Sequence, residues 1–279
     1  MKILITGGSG YLGTHVRRFF GADDFSRRSG VDVLREEDLE RVADYDAVIH
    51  LAAHLDKDPA AAEACFRTNA EGAANVVKHL RPGTAFIYAS TKDVYGSNAE
   101  SYTEVPETCP TDYTGQTALE WSKLIGERYT EYYARQRNVR TCIFRMSNVY
   151  ARPSEGNENG FVTHYVESVK RGWPIRLPLG GHAVRDILHV DDFSRACQAF
   201  IDSSHVYGLY NLGGGSENAA TLREMVSTVG KMIQLEPVVV EDTVSHPVPV
   251  NYVSDLSRIR EQLGWQPQIG IEEGLRSLL

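Results

Sequence analysis

The chain opens with a short apolar segment that runs directly into three regularly spaced glycines, and this feature constrains the fold most. Residues 2–6 form the apolar segment, and glycines follow at positions 7, 10 and 13. Apolar residues then recur with helical spacing, so strand, tight turn and helix are predicted in that order. Such a turn lets the backbone approach a pyrophosphate, and the helix N-terminus adds free N–H groups and a positive dipole end. We expect a dinucleotide cofactor to contact Gly7, Gly10, Tyr11, Leu12 and Gly13.

Strand-like and helix-like segments alternate through the first half of the chain. Strands are predicted at 2–6, 46–52, 85–90 and 141–144, and helices at 11–20, 60–80 and 119–137. Apolar strands that alternate with helices are typical of a parallel sheet covered on both faces. The predicted fold class is therefore α/β, with a Rossmann-type doubly wound parallel sheet.

After about residue 150 the segments become shorter and richer in Pro and Gly. Helices are predicted at 161–171, 192–201 and 221–233, and short strands at 187–190 and 209–212. We expect residues 1–148 and about 187–212 to form the dinucleotide-binding domain. Residues 149–186 and 213–279 would form a smaller C-terminal lobe that binds the substrate.

Composition excludes several classes of function. Asp and Glu outnumber Lys and Arg by 37 to 29, and there is no run of basic residues, so nucleic acid is a poor candidate partner. No apolar run approaches the ~20 residues of a membrane span. The four cysteines are irregularly spaced, without a CxxC pair or a His/Cys ligand pattern. We therefore expect reduced thiols, a cytoplasmic location and no metal site.

The glycine spacing GxxGxxG, in the form TGGSGYLG at residues 6–13, resembles the extended branch of the short-chain dehydrogenase/reductase family. Further segments resemble motifs of this family in the family's order: HLAA at 50–53, Asn69, STKDVYG at 90–96, SKLIGE at 122–127, FRMSNVY at 144–150, RDILHVDD at 185–192 and LGWQP at 263–267. The matches cover essentially the whole chain. It is identified as a member of the NAD(P)-dependent epimerase/dehydratase family of nucleotide-sugar enzymes.

The resemblance implies roles for residues that face the cofactor. Lys123 matches the catalytic lysine, which also binds the cofactor, and Asp32 resembles the contact to the adenine amino group. The segment beside the adenosine is matched by Leu51, Ala52 and Ala53.

The resemblance also implies a substrate, a nucleotide-diphosphate sugar. Thr91 matches the catalytic Ser/Thr, which contacts the substrate as well, and Asn148 and Arg185 match residues that bind the diphosphate. The loops at 160–165 and 213–218 are similar to those of the CDP-tyvelose (paratose) 2-epimerase group.

One position departs from the family pattern. The family's catalytic tyrosine lies four residues before the lysine, one helical turn away on the same face, where the ammonium lowers the phenol pKa. Here that position is Leu119. Tyr113, ten residues before Lys123, is the candidate proton donor. Otherwise another group transfers the proton.

The preferred cofactor depends on the tip of the strand that follows Gly21. Enzymes that prefer NAD place a carboxylate there, about 20 residues past the glycine loop. This chain places Arg27 and Arg28 there. Two guanidiniums suit a 2′-phosphate, so NADP(H) is favoured over NAD(H).

These observations predict hydride transfer at a ring carbinol or ketone, by a ketoreductase or an epimerase. Lys92 and Asp93 stand where dehydratases of the family carry an acidic pair, which disfavours dehydration. The alternative is a dinucleotide-binding sensor or scaffold that has lost catalysis, favoured by Leu119. The helices at 60–80 and 119–137 resemble the pair through which family members dimerise, so a homodimer is expected.

Overall fold

The computed structural model describes residues 1–157, 160–242 and 248–279. Its strands are β1 (Ile3–Thr6), β2 (Asp23–Phe25), β3 (Ala47–His50), β4 (Ala85–Thr91), β5 (Arg140–Met146), β6 (Asn148–Tyr150), β7 (Ile175–Pro178), β8 (Val184–His189), β9 (Tyr207–Leu212), β10 (Ala219–Thr221) and β11 (Val239–Asp242). The α-helices are α1 (Tyr11–Phe20), α2 (Ala62–Cys65), α3 (Gly72–Lys78), α4 (Ala118–Arg137), α5 (Phe161–Arg171), α6 (Val190–Asp202), α7 (Leu222–Ile233), α8 (Ser257–Leu263) and α9 (Ile271–Ser277).

Six strands form a central sheet in the order β2-β1-β3-β4-β5-β9, and each neighbouring pair is parallel. Val16 from α1 and Phe193 from α6 belong to the apolar core on one face. Val76 from α3 and Ala134 from α4 belong to the core on the other face. Burial on both faces explains why the inner strands β1, β3 and β4 are largely apolar, and the covered parallel sheet confirms the predicted α/β class.

Two smaller sheets lie outside the central sheet. One has the strand order β10-β8-β6, and the other pairs β11 with β7. Val162 and Val166 of α5 pack with Leu222 and Met225 of α7 in a separate core. β8 pairs with β6 outside the central sheet. The chain then continues through α6 and returns to the central sheet as β9, which pairs with β5.

The segment predicted as one helix over 60–80 contains a π-helical stretch, Phe66–Glu71, between α2 and α3. Within it, Asn69 bonds through its side chain to both the N–H and the C=O of His54, at 2.8 and 2.9 Å, and to Ser122 Oγ at 2.8 Å. This interruption of the helix ties the chain after β3 to α4.

Candidate functional site

The glycine turn after β1 leaves no space for side chains. The Gly7 N–H bonds to the Phe25 carbonyl at 2.8 Å, and Gly7 has a φ of +70°. A Cβ on Gly13 would lie 2.1 Å from the Gly7 oxygen. Since Gly10 has no side chain to cap α1, the first N–H groups of this helix remain available to an anion. This backbone cradle fits the pyrophosphate of a dinucleotide, with Ala52 packed against Gly7.

Lys123 lies on the buried face of α4 and reaches the central sheet. Its Nζ donates a hydrogen bond to the Ala89 carbonyl at 2.7 Å and lies 5.2 Å from the centre of the Tyr88 ring. Burial lowers the pKa of Lys123 to about 8, and the nearby Glu127 carboxylate opposes that shift. The ammonium is therefore held beside β4.

Thr91 is the last residue of β4, two residues after Ala89. Its Oγ1 accepts a hydrogen bond from the backbone N–H of Asp93 at 3.2 Å. The structure thus brings Thr91 and Lys123 to the same end of one strand, the carboxyl end, where ligands of open parallel sheets bind.

A buried ion pair packs beside Thr91 and Lys123. The sequence alone assigned it no role. Arg145 of β5 makes two hydrogen bonds to Glu127, at 3.0 and 2.7 Å, and Ser90 donates to the same carboxylate at 2.5 Å. Both charged side chains are 3% exposed. Ser90 precedes Thr91, and Glu127 lies one turn after Lys123, so the pair fixes their relative position. The sequence signal that could have revealed this ion pair is that Glu127 and Arg145 each lie inside a segment that matches a family motif.

The structure does not bring Tyr113 to Lys123. The Tyr113 side chain is 69% exposed, and its ring stacks against Trp121 at 6.4 Å. Trp121 and Lys123 are two positions apart on α4 and therefore point to different sides of the helix. Leu119, one turn before Lys123, is 7% exposed.

Four charged side chains gather next to Thr91, and the sequence alone did not group them. Lys92 donates to Asp93 Oδ1, while Lys57 lies 3.5 Å from Asp93 Oδ2 and 2.7 Å from Glu120. Burial raises the pKa of Asp93, but Lys92 and Lys57 outweigh burial, so its net pKa is lowered. Burial likewise opposes a net lowering of the Glu120 pKa, which arises from Lys57 and Thr117. Both carboxylates are thus held ionised.

Arg185 of β8 and Asn148 of β6 lie in the same small sheet. Arg185 is 8% exposed and donates to the carbonyls of Val184, Pro249 and Val250, at 2.7, 3.1 and 2.5 Å. Burial lowers the pKa of Arg185, and its attraction to Asp93 opposes that shift.

Asn148 lies at the start of β6, where its amide donates to Ser147 Oγ at 3.1 Å. It also donates to the Asp186 carbonyl, at 3.4 Å. Residue 186 directly follows Arg185, so both predicted diphosphate ligands come from the β6–β8 sheet beside the charged cluster.

At the cofactor end, the tip after β2 is a short turn stabilised by reciprocal bonds between Ser26 and Ser29. Arg28 donates to Ser9 O, Asn157 Oδ1 and Gly156 O at 2.8, 2.9 and 2.6 Å. A loop of the lobe therefore meets the glycine turn through Arg28.

The other residues at this tip are more open or face their own turns. Arg27 is exposed. Asp24 accepts from Ser26 Oγ at 3.0 Å and from Ser9 Oγ. Asp32 accepts from the Leu34 N–H at 3.0 Å. Arg27 thus leaves a cation open to solvent beside the glycine turn.

Within the described residues, no cluster of three His, Cys, Asp or Glu side chains suits a metal ion. In the same part of the chain, every helix is too short or too polar to cross a membrane. The four cysteines are buried and unpaired.

Comparison with known proteins gives one family. Residues 3–213 match the model of the NAD dependent epimerase/dehydratase family. The chain is 26% identical to the CDP-paratose 2-epimerase of Salmonella typhi, over 100% of this chain and 98% of the relative. It is 27% identical to a dTDP-glucose 4,6-dehydratase of Neisseria meningitidis, over 99% and 91% of the two chains.

Solved structures agree on the fold. The UDP-glucose 4-epimerase of Thermotoga maritima, solved with UDP-glucose, superposes with a TM-score of 0.84 and 24% identity, over 100% of this chain and 97% of that one. RMD from Pseudomonas aeruginosa, complexed with NADPH, superposes with a TM-score of 0.83 and 22% identity, over 100% and 98%.

Proposed function

Since the chain belongs to the NAD dependent epimerase/dehydratase family, we propose that it transfers hydride between a nicotinamide dinucleotide and a ring carbon of a nucleotide-activated sugar. The observation that carries the proposal is the convergence of Thr91 and Lys123 at the carboxyl end of β4. The two central strands β3 and β1 separate β4 from β2. A dinucleotide bound across this edge would reach from the turn after β2 to Thr91.

Each residue has a defined task. The glycine turn and the N-terminus of α1 bind the pyrophosphate, while Leu51, Ala52 and Ala53 flank the adenosine. Lys123 binds the nicotinamide ribose and adds positive charge, and Thr91 donates a hydrogen bond to the reacting oxygen. The bound nicotinamide supplies or accepts the hydride.

We assign the sugar nucleotide to the lobe formed by residues 149–186 and 213–279. Asn148 and Arg185 would bind its diphosphate from the β6–β8 sheet, where Arg185 is anchored by backbone carbonyls. The names of the relatives and structural neighbours include CDP, dTDP and UDP sugars, so the base stays open. Both ketoreductase and epimerase chemistry fit this placement.

The proposal favours NADP(H). Arg27 is exposed at the tip after β2, and Arg28 stands beside it with its guanidinium over the Ser9 carbonyl. A 2′-phosphate would gain charge-assisted bonds there. Asp32 is kept as the contact for the adenine amino group.

We do not assign proton transfer to Tyr113. Its exposed ring stacks on Trp121, on the side of α4 away from Lys123. Bringing its hydroxyl to Thr91 would require the loop before α4 to break this contact.

The alternative function is a dinucleotide-binding sensor or scaffold, favoured by Leu119 at the position of the phenol. Calorimetry with NADPH, NADH, CDP, dTDP and UDP tests both candidates, together with mass spectrometry of whatever copurifies. Binding of a dinucleotide and one of these nucleoside diphosphates, followed by hydride transfer from UDP-glucose, UDP-glucuronic acid or dTDP-glucose, supports the enzyme. Dinucleotide binding without affinity for any of the three nucleoside diphosphates supports the sensor.

We further propose a homodimer through α3 and α4. The outer side of α4 carries Tyr129 and Tyr132, which are 42% and 60% exposed. Exposed aromatic surface of this kind marks interfaces. Light scattering should give twice the chain mass of 31.1 kDa. A constant single-chain mass across micromolar concentrations would contradict the dimer.

The buried, unpaired thiols support a reducing, cytoplasmic location.

A further inference from the structure

The residue at the position of the family's catalytic tyrosine cannot transfer a proton in this chain. Leu119 occupies it, one helical turn before Lys123, and is 7% exposed. When hydride reaches a carbonyl carbon, the oxygen must still gain a proton. The proton must therefore come from another group near Thr91.

Lys92 follows Thr91 directly and has a side chain that is 7% exposed. Its ammonium lies 5.1 Å from the centre of the Tyr252 ring. The backbone N–H of Tyr252 bonds to Val184, the residue before Arg185, at 3.1 Å. Lys92 therefore lies between the end of β4 and the lobe strand that carries Arg185, on the side assigned to the sugar.

Asp93 connects Lys92 to Thr91. Its carboxylate accepts from the Lys92 ammonium, and its backbone N–H donates to Thr91 Oγ1 at 3.2 Å. On its outer side the same carboxylate lies 3.5 Å from Lys57, whose side chain is 53% exposed. Asp93 thus contacts both Thr91 and Lys92, and the exposed Lys57 lies beside the same carboxylate.

Other proton-bearing groups are less well placed. The Lys123 ammonium bonds to the Ala89 carbonyl and is assigned to the nicotinamide ribose. The Tyr252 side chain is fully buried, and Tyr113 faces solvent beside Trp121. Lys92 directly follows Thr91, and its ammonium, which is paired with Asp93, has N–H bonds that could supply a proton.

We propose that Lys92 donates the proton to the reacting oxygen of the sugar, in place of the phenol that this chain lacks. The inference rests on the proposed function, which supplies the hydride from the reduced dinucleotide. The carbonyl carbon gains the hydride and a C–H bond, while the C=O π pair moves to oxygen. The oxygen then forms an O–H bond as one N–H bond of Lys92 breaks. The resulting amine regains a proton from water. In the oxidising direction the neutral amine accepts the proton.

The test compares Lys92→Arg with Lys92→Met. Arginine keeps the charge and the ion pair with Asp93 but does not release its proton, because a guanidinium stays protonated in proteins. We expect both variants to lower single-turnover hydride transfer by about 10²–10⁴-fold, the usual contribution of general acid–base catalysis. The assay uses UDP-glucose, UDP-glucuronic acid and dTDP-glucose with NAD⁺ and NADP⁺.

Two readouts besides activity separate catalysis from structure. Calorimetry should give Kd values for NADPH and UDP within about threefold of wild type for Lys92→Arg, a change below 1 kcal/mol. Thermal unfolding of Lys92→Arg should match wild type. Restored turnover in Lys92→Arg would mean that only the charge matters, and would overturn the inference.

Two further variants serve as controls. Lys57→Met removes the other ammonium that lies beside the Asp93 carboxylate, from a side chain that is exposed. It should lower hydride transfer by less than tenfold. Tyr113→Phe should retain wild-type turnover, whereas its collapse alongside an active Lys92→Arg would contradict the inference. A wild-type chain that moves no hydride on all three probes contradicts the proposed function before any variant is compared, so the two failures are distinguishable.

Discussion

The two ends of the candidate cleft are built in different ways. At the cofactor end the backbone forms the site, since Gly7 and Gly13 approach each other closely and a Cβ on Gly13 would lie 2.1 Å from the Gly7 oxygen. At the end proposed for the sugar, the site consists of side chains from separate elements, among them Lys92, Asn148 and Arg185.

This difference explains why one end follows the family pattern and the other departs from it. A Cβ on Gly7 or Gly13 would lie within 2.8 Å of backbone atoms, so the geometry of the cradle requires glycine at these two positions. A side-chain site can exchange one proton-bearing group for another without disturbing the sheet. Leu119 and Lys92 stand at that end.

The largest expected effect concerns the buried ion pair between Arg145 and Glu127. Glu127→Ala leaves the buried Arg145 charge and the Ser90 hydroxyl without their partner. Removing one member of a buried pair costs about 3–5 kcal/mol in the free energy of unfolding. Urea denaturation should show this loss. Glu131→Ala on the same helix removes a pair with the exposed Arg135 and should cost at most ~0.5 kcal/mol. Equal losses would mean that the buried pair has no special structural role.

A smaller effect is expected in the glycine cradle. Gly13→Ala forces the backbone of Gly7 and Gly8 to move, since both lie within 2.8 Å of the added Cβ. Overpacking of this kind costs about 1–3 kcal/mol. We expect that loss in the free energy of unfolding, and a drop in NADPH affinity of about tenfold or more by calorimetry. Gly270→Ala is the matched control, because its Cβ would meet no atom within 4 Å. Full NADPH affinity in Gly13→Ala would place the cofactor elsewhere.

Cofactor preference gives the next effect. Replacing Arg27 and Arg28 together by Ala should weaken NADP(H) binding at least about tenfold more than NAD(H) binding, because charge-assisted bonds of ~1.5–3 kcal/mol are lost. Arg35→Ala removes a cation paired with Asp38 and should leave the ratio unchanged. Equal, small losses for both dinucleotides would show that the arginines do not select the cofactor.

Much of the fold could be predicted from local sequence. The periodicity placed α1 and α5 with the bounds that the structure has, because each helix buries one apolar stripe and ends before a glycine in the left-handed region, Gly21 or Gly172. The motifs also identified the family that the comparison confirmed. The strand β2 has only three residues, two of them Asp, and shows no strand pattern of its own.

The charged cluster and the Arg28 contacts could not be predicted, since they depend on distant residues. Arg28 meets Asn157 across 129 positions, and Lys57 approaches Glu120 across 63. The π-helical stretch was missed for the same reason. Its Asn69 is fixed by contacts with His54 and Ser122, which helical periodicity does not reveal.

The smallest expected effect is a pH dependence at the boundary between the two ends. Because burial lowers the pKa of Lys123 to about 8, its ammonium loses its proton in the folded chain as pH rises through 8, well below the unfolded value of 10.5. A charged donor is worth ~1 kcal/mol more than a neutral one, so NADPH affinity should fall about fivefold between pH 7 and 9.

The stability changes in the opposite sense. Between pH 8 and 10.5 the unfolded chain binds more protons than the folded chain, so Lys123 makes the free energy of unfolding rise with pH. Burial lowers the pKa of the neighbouring His50 to about 3, so this imidazole stays neutral across the whole range. In the binding experiment, Lys123→Met should bind NADPH more weakly than wild type at pH 7. Its affinity should then stay constant between pH 7 and 9, because the titrating ammonium is gone. A wild-type affinity that stays constant to pH 9 would mean that the ribose is held by the backbone cradle alone, which would extend the backbone-built end of the cleft as far as Thr91.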